Sequence, residues 1–229
     1  MNKKIVLLLI LSTPLLYMST AVAQNFPVQE WTAVAHDKPV IFYITGDGGF
    51  NKFSTGLCES LNKKGYDVFA LNTKSYFWDK KTPEQTASDV NNYLIKKLAG
   101  RKNQQVVLLG YSFGADVLPF VIKRLSKNIH EKVLVSFLMA SSGSTDFEIH
   151  WSDIFGGNKK RSMDVVTEIN KLTNDKIVII SGSDDGNLAV NKITLKRYTH
   201  EVLPGGHHFD GDTEEITRVI LKHVSNLRT

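Results

Sequence analysis

The chain has little of several features that would point to particular protein classes. It has one cysteine, Cys58, among 229 residues, so it cannot form an internal disulfide and must draw its stability from a hydrophobic core. It contains no repeats and no proline- or serine-rich linkers, which favours a single domain. No segment resembles a nucleic-acid-binding module. No Gly-Lys-Ser/Thr sequence follows a glycine-rich loop, which excludes a P-loop nucleotide site.

The first 23 residues have the features of an export signal. Two lysines precede an apolar segment from Ile5 to Tyr17, and Ala21-Val22-Ala23 provides a cleavage site. The apolar segment is shorter than the roughly 20 residues of a spanning helix, which favours cleavage over a retained membrane anchor. We therefore expect a signal peptide at 1–23, one mature domain at 24–229 and a periplasmic location.

The expected mature domain is mildly basic. The formal net charge of the whole chain is +5, and the first 23 residues carry two lysines and no acid. Lysine pairs are scattered along the rest of the chain, which indicates solvated faces that suit contact with an anionic membrane surface. Cys58 falls in a helical pattern and is expected to be a small buried residue.

Short, unbroken apolar runs alternate with longer segments of helical pattern. Such runs mark strands buried on both faces, which is typical of a parallel sheet covered by helices. Thr82, Pro83 and Gln85 predict a capping box at the start of one helix. The sequence therefore predicts an α/β fold with a mostly parallel, doubly wound sheet and helices on both faces. The predicted strands are 40–44, 68–71, 106–109, 133–139, 177–180 and 198–203.

The sequence Gly110-Tyr111-Ser112-Phe113-Gly114 follows the third apolar run and matches G-x-S-x-G, the pattern of a nucleophile elbow. The chain must turn sharply from a buried strand into a helix, so Ser112 lies in strained backbone between two residues without side chains. The helix start places the Phe113 N–H beside the nucleophile, where it can stabilise an oxyanion.

Two further polar loops follow later strand runs, at 181–186 and 204–209. They supply a carboxylate and then a histidine, and the order serine, acid, histidine is that of the α/β hydrolases. A serine nucleophile needs a histidine to accept its proton, and the histidine needs a carboxylate to fix its tautomer. Asp185 is the preferred acid because it stands three residues after Gly182, and Asp184 is the alternative.

His208 is the preferred histidine because it directly precedes Phe209, and His207 is the alternative. A metal site formed by the two histidines with Asp210 and Asp212 is a different interpretation of the same loop. Adjacent histidines point in different directions, and no matching ligand cluster appears elsewhere, so neither a metal nor another cofactor is expected.

Thr45-Gly46-Asp47-Gly48-Gly49 follows the first long strand run. Its spacing is that of the H-G-x-G-G loops of esterases, with threonine in place of histidine. The backbone N–H of Asp47 is therefore the candidate second oxyanion donor. An ordinary glycine turn between a strand and a helix is the alternative interpretation.

Tyr76, Phe77 and Trp78 follow the second strand run, on the same edge of the predicted sheet. Three consecutive aromatic residues cannot all face the core, so they are candidate substrate-binding residues in an acyl or alcohol pocket. Packing beneath the adjoining loop is the alternative.

Together these motifs resemble the VirJ/AcvB family of bacterial periplasmic proteins, over nearly the whole expected mature chain. The resemblance implies an α/β-hydrolase fold and export across the inner membrane. It also implies two functions: AcvB-type members hydrolyse lysyl-phosphatidylglycerol, and VirJ-type members are linked to type IV secretion and virulence. The residues that carry it are Thr45-Gly46-Asp47-Gly48-Gly49, Tyr76-Phe77-Trp78 with Thr82-Pro83-Glu84, the segment GYSFGADVLPF that begins at Gly110, and Gly205-Gly206-His207-His208-Phe209-Asp210-Gly211-Asp212.

The expected function is therefore a periplasmic serine esterase that cleaves the aminoacyl ester of lysyl-phosphatidylglycerol. Ser112, Asp185 and His208 would form its triad, and the N–H groups of Phe113 and Asp47 would hold the oxyanion. The alternative is a non-catalytic virulence factor that binds secretion-system proteins and keeps the hydrolase scaffold.

Overall fold

The computed structural model describes residues 26–149 and 161–227, so the predicted signal peptide and its cleavage site lie outside the described residues. The strands are β1 Val28–Trp31, β2 Val40–Ile44, β3 Val68–Leu71, β4 Val106–Tyr111, β5 Val133–Met139, β6 Ser144–Thr145, β7 Met163–Asp164, β8 Ile177–Gly182 and β9 Tyr198–Leu203. The helices are α1 Lys52–Lys63, α2 Thr73–Tyr76, α3 Pro83–Leu98, α4 Phe113–Ile122, α5 Lys127–His130, α6 Val165–Ile169 and α7 Thr213–Ser225.

In the described part of the chain, seven strands form one sheet in the order β1-β3-β2-β4-β5-β8-β9. β1 pairs antiparallel with β3, and every other neighbouring pair is parallel. The short strands β6 and β7 pair separately. The predicted mostly parallel sheet is therefore confirmed.

The five inner strands of the sheet are largely buried on both faces, as their unbroken apolar runs predict. The two edge strands, β1 and β9, are partly exposed. In β2, Phe42 belongs to the core layer shared with α3 and α4, whereas Tyr43 belongs to the layer shared with α1 and α7. Cys58 is fully buried in the second layer, and burial raises the pKa of its thiol. Within the described ranges, no helix has both the length and the apolar character needed to cross a bilayer.

The structure adds three strands that the apolar runs do not predict: β1 in the main sheet and the two-residue strands β6 and β7. β1 lies at the edge of the sheet and is only partly buried, so its sequence VQEW contains no apolar run. Two predicted strands are longer than expected: β4 continues to Tyr111 and β8 to Gly182. Both strands thus extend into the loops that carry the candidate chemistry.

The predicted capping box at the start of α3 is present. The Thr82 hydroxyl accepts a hydrogen bond from the Gln85 N–H at 3.1 Å, and the Gln85 side chain accepts one from the Thr82 N–H at 2.9 Å. These two contacts satisfy backbone donors that the first turn of a helix leaves without partners.

Thr82→Ala is expected to lower the free energy of unfolding by about 1 kcal/mol, because it removes this cap. Thr167→Ala is the matched control, since Thr167 is an exposed threonine inside α6. Urea unfolding of both variants measures the difference. An equal effect of the two substitutions would show that the cap is not what stabilises the start of α3.

Candidate active site

Ser112 lies between β4 and α4 with φ 53° and ψ −121°, an unfavourable backbone conformation for a residue with a side chain. The flanking glycines leave the necessary space. A Cβ atom on Gly110 would lie 2.6 Å from the Gly114 carbonyl oxygen, and one on Gly114 would lie 2.1 Å from the Ile44 carbonyl oxygen. The strand–serine–helix arrangement is that of a nucleophile elbow.

A continuous line of hydrogen bonds joins Ser112, His207 and Asp185. His207 Nε2 lies 2.8 Å from Ser112 Oγ, and His207 Nδ1 lies 2.9 Å from Asp185 Oδ2. The Asp185 side chain is 4% exposed, and that of His207 is 34% exposed. The carboxylate is thus shielded from water, whereas the histidine side chain is partly exposed to solvent.

The structure corrects the choice between the two histidines: the contact expected of His208 is made by His207. His208 instead places Nδ1 against the Tyr111 hydroxyl. The physical reason is the anchoring of the next residue, because Phe209 is buried and stacks on Phe53 with ring centroids 6.3 Å apart. With Phe209 held in the core, His208 is directed to Tyr111 and His207 to Ser112.

Asp185 occupies the acid position, whereas the alternative, Asp184, is exposed. The Asp184 carboxylate accepts a hydrogen bond from the Ser183 hydroxyl at 3.0 Å. Asn187 donates from its side-chain amide to Asp185 Oδ1 at 2.6 Å, so both carboxylate oxygens of Asp185 have partners. This second contact helps to hold the carboxylate in the plane that His207 needs.

Both candidate oxyanion donors lie close to the nucleophile in the chain or in space. Phe113 is the first residue of α4, where a backbone N–H has no acceptor within the helix. Gly46 packs against the elbow, since a Cβ atom placed on it would lie 3.5 Å from Ser112 Cβ. The next residue, Asp47, is partly exposed, and its carboxylate accepts from the Gly48 N–H at 2.8 Å.

The three aromatic residues after β3 have different surroundings. The Tyr76 hydroxyl donates to Asp89 at 2.5 Å, and Phe77 is fully buried against the Phe113 ring at 5.1 Å. Trp78 is 52% exposed. Packing, the alternative interpretation, thus describes Tyr76 and Phe77, and Trp78 is the member of the three that faces solvent.

Asp116, in the first turn of α4, is a buried carboxylate whose hydrogen-bond partners the sequence motifs do not predict. It accepts hydrogen bonds from the Ser141 hydroxyl at 2.8 Å, the Ser142 N–H at 2.6 Å and the Ser142 hydroxyl at 2.7 Å. Burial raises its pKa to about 6, against the opposing effects of these hydrogen bonds and of nearby His207. An acid four residues after Ser112 is the signal in the sequence, but its partners Ser141 and Ser142 lie 25 and 26 residues further along the chain.

A comparison with protein families identifies the chain. The family described as Bacterial virulence protein (VirJ) matches residues 13–228, nearly the whole sequence. The chain belongs to the VirJ family. No curated protein matches it.

Solved structures similar to this VirJ-family chain have the α/β-hydrolase fold. MenH from S. aureus has a TM-score of 0.68 and 11% identity, covering 89% of this chain and 99% of MenH. An α/β hydrolase from the metagenome of lagoon sediments has a TM-score of 0.63 and 16% identity, with coverages of 88% and 95%. A membrane phospholipase A, a bacterial virulence factor, has a TM-score of 0.63 and 14% identity, with coverages of 88% and 83%. At these identities the likeness establishes the fold.

No group of three His, Cys, Asp or Glu side chains in residues 26–149 and 161–227 is placed to hold a metal ion. Asp210 shows the local reason in the histidine loop. A Cβ atom on Gly205 would lie 2.5 Å from the Asp210 carboxylate, so this side chain folds back over its own loop. His207 meanwhile uses both ring nitrogens for Ser112 and Asp185.

The raised pKa of Asp116 predicts a pH-dependent stability that Asp116→Asn removes. The folded chain holds the Asp116 proton up to a pKa of about 6, and an unfolded chain releases it near 3.9. The wild type should therefore lose about 2 kcal/mol relative to Asp116→Asn as pH rises from 4 to 7. His207 is an ionisable group that acts electrostatically on this carboxylate. Urea unfolding of both proteins across this range tests the prediction, and a constant difference would contradict it.

Proposed function

We propose that this VirJ-family chain is a serine hydrolase that cleaves ester bonds, with Ser112 as nucleophile, His207 as general base and acid, and Asp185 as the carboxylate that orients His207. The hydrogen-bonded line from Ser112 Oγ through both nitrogens of His207 to Asp185 Oδ2 carries the proposal. A strained serine at a helix start, a partly exposed histidine and a buried carboxylate have the properties that these three roles need.

In the proposed reaction, His207 donates its Nδ1–H to Asp185 and accepts the Ser112 hydroxyl proton at Nε2. Ser112 Oγ meanwhile bonds to the ester carbonyl carbon, and the carbonyl π electrons move to the oxygen. The N–H groups of Phe113 and Asp47 hold that oxyanion. Its collapse breaks the ester C–O bond, and the alcohol leaves with the proton from His207. Water then repeats the sequence and releases the acid and Ser112.

The substrate class we propose is the aminoacyl ester of lysyl-phosphatidylglycerol. The resemblance to AcvB-type sequences supports it, and the charge near Ser112 agrees with it. Asp47 is a partly exposed carboxylate in the loop that packs on the elbow, where it can pair with the lysyl ammonium group. Asp116 is less suited to this role, because its carboxylate is buried and bonded to two serines.

A lipid substrate also requires contact with a membrane surface, and we propose that the segment after β3 makes it, in the periplasm. Trp78 is exposed there, and Lys74 and Lys80, four residues before it and two after it in the sequence, are also exposed. An aromatic side chain flanked by cations suits the interface of an anionic bilayer. This segment follows the carboxyl end of β3, at the same edge of the sheet as Ser112.

Labelling with a fluorophosphonate probe tests the nucleophile and separates the two histidines. Ser112→Ala should abolish labelling. His207→Ala should slow it by about 10³-fold or more, because the serine loses its base. The labelling rate of His208→Ala should stay within about tenfold of the wild-type rate, because this variant keeps His207, the proposed general base. Labelling rates of the purified mature protein and these variants give the comparison.

Two outcomes would contradict this assignment. A larger loss in His208→Ala than in His207→Ala would make His208 the base. Absence of any Ser112-dependent labelling would reject the enzyme and favour the non-catalytic virulence factor.

The substrate is tested with vesicles that contain lysyl-phosphatidylglycerol, with release of free lysine as the measurement. Asp47→Asn retains the backbone donor but removes the carboxylate, so the KM for the lysyl ester should rise severalfold, as for loss of a partly exposed ion pair. The KM for p-nitrophenyl acetate, which has no cation, should not change. Asp184→Asn is the matched control. Equal effects on both esters would exclude Asp47 as the lysyl-binding carboxylate.

A further inference from the structure

Two buried threonines, Thr45 and Thr73, form a hydroxyl pair directly beside the loop that supplies the proposed oxyanion donor. Both residues are fully buried. The Thr73 hydroxyl donates to the Gly46 carbonyl oxygen, and the two hydroxyl oxygens lie 2.9 Å apart. Thr45 Oγ1 also accepts from the Thr73 N–H at 3.3 Å. Thr45 Oγ1 also donates to the Leu71 carbonyl oxygen at 3.0 Å. With the single proton of Thr73 donated to Gly46, the single proton of Thr45 is shared between Thr73 Oγ1 and the Leu71 carbonyl.

The Gly46 carbonyl is held by two donors. Besides the Thr73 hydroxyl, the Gly49 N–H donates to it at 2.9 Å. This carbonyl and the Asp47 N–H belong to the same peptide unit, and the described chain has no cis peptide bond. In a trans peptide the C=O and N–H groups point in opposite directions. Fixing the Gly46 carbonyl therefore fixes the direction of the Asp47 N–H.

The order of the strands shows which direction that is. β2 lies between β3 and β4 in the sheet. Thr73 follows β3, the Gly46–Asp47 peptide follows β2, and Ser112 follows β4. The carbonyl that bonds to Thr73 thus points to the β3 side, so the opposite N–H points to the β4 side, where Ser112 lies.

We propose that Thr73, supported by Thr45, is a positioning residue that aims the Asp47 N–H at the oxyanion formed when Ser112 attacks an ester. This inference rests on the proposed function, because an oxyanion forms only if Ser112 is the nucleophile. Its physical basis is preorganisation: a donor already aligned with the developing charge needs no rearrangement during the reaction. Without the Thr73 hydroxyl, the peptide keeps one of its two anchors and gains freedom to rotate.

The test is steady-state hydrolysis of p-nitrophenyl acetate by the mature protein and three variants at one position. Thr73→Val should lower kcat roughly tenfold with KM unchanged, a smaller loss than the 10²–10³ that follows removal of an oxyanion donor itself. Thr73→Ser keeps the hydroxyl and should restore most of kcat. Thr73→Ala also removes the hydroxyl but puts no methyl group in its place, and its kcat should equal that of Thr73→Val. The test therefore stands if the valine variant does not fold.

Thr217→Val is the matched control. Thr217 is 1% exposed, and its hydroxyl is buried with no hydrogen-bond partner among the residues that the structure describes. The substitution should leave kcat unchanged. The positioning role is overturned if the wild type is active and the Thr73 variants keep its kcat. It is also overturned if these variants lower kcat, raise KM and lose thermal stability in parallel. If the wild type shows no Ser112-dependent hydrolysis, the proposed function itself fails.

Discussion

The close approach of α4 to the end of β2 is the constraint on which the site depends. A Cβ atom at Gly114 would lie 2.1 Å from the Ile44 carbonyl oxygen and 2.4 Å from that of Thr45. No side chain fits in this space, so the first turn of α4 rests directly on the strand end. Because of this contact, the loop after β2 and the elbow after β4 share one small region. A bulkier residue at 114 would separate Ser112 from the proposed oxyanion donor.

A second close approach brings the acid and histidine loops together on the other side of β4. A Cβ atom at Gly182 would lie 2.3 Å from the Gly206 carbonyl oxygen. Tyr111 connects this pair of loops to the elbow, since its hydroxyl donates to the His207 carbonyl at 3.2 Å. The proposed triad is therefore assembled by backbone contacts at positions without side chains, and the side chains complete an arrangement that the backbone already imposes.

The fold could be predicted from the sequence to a much greater extent than the choice of residues within the site. Strands buried on both faces leave unbroken apolar runs, and β2, β3 and β5 have the predicted bounds. The bounds of β9 are also as predicted, although it is a partly exposed edge strand. β1 leaves no such run because it is a partly exposed edge strand. The choice of His207 over His208 depends on where Phe209 packs. That contact with Phe53, in a helix more than 150 residues earlier, follows from the tertiary structure and not from any local pattern.

The surroundings of His207 suggest why a second carboxylate lies so near the triad. Asp185 bonds directly to its ring, whereas Asp116 acts on it through space, from a buried position held by Ser141 and Ser142. Burial raises the pKa of Asp116 to about 6. Near that pH, a proton gained or lost by Asp116 changes the charge that His207 experiences. The serines that bond to Asp116 favour its charged form, so above about pH 6 they hold a second negative charge beside the imidazolium that the proposed reaction creates.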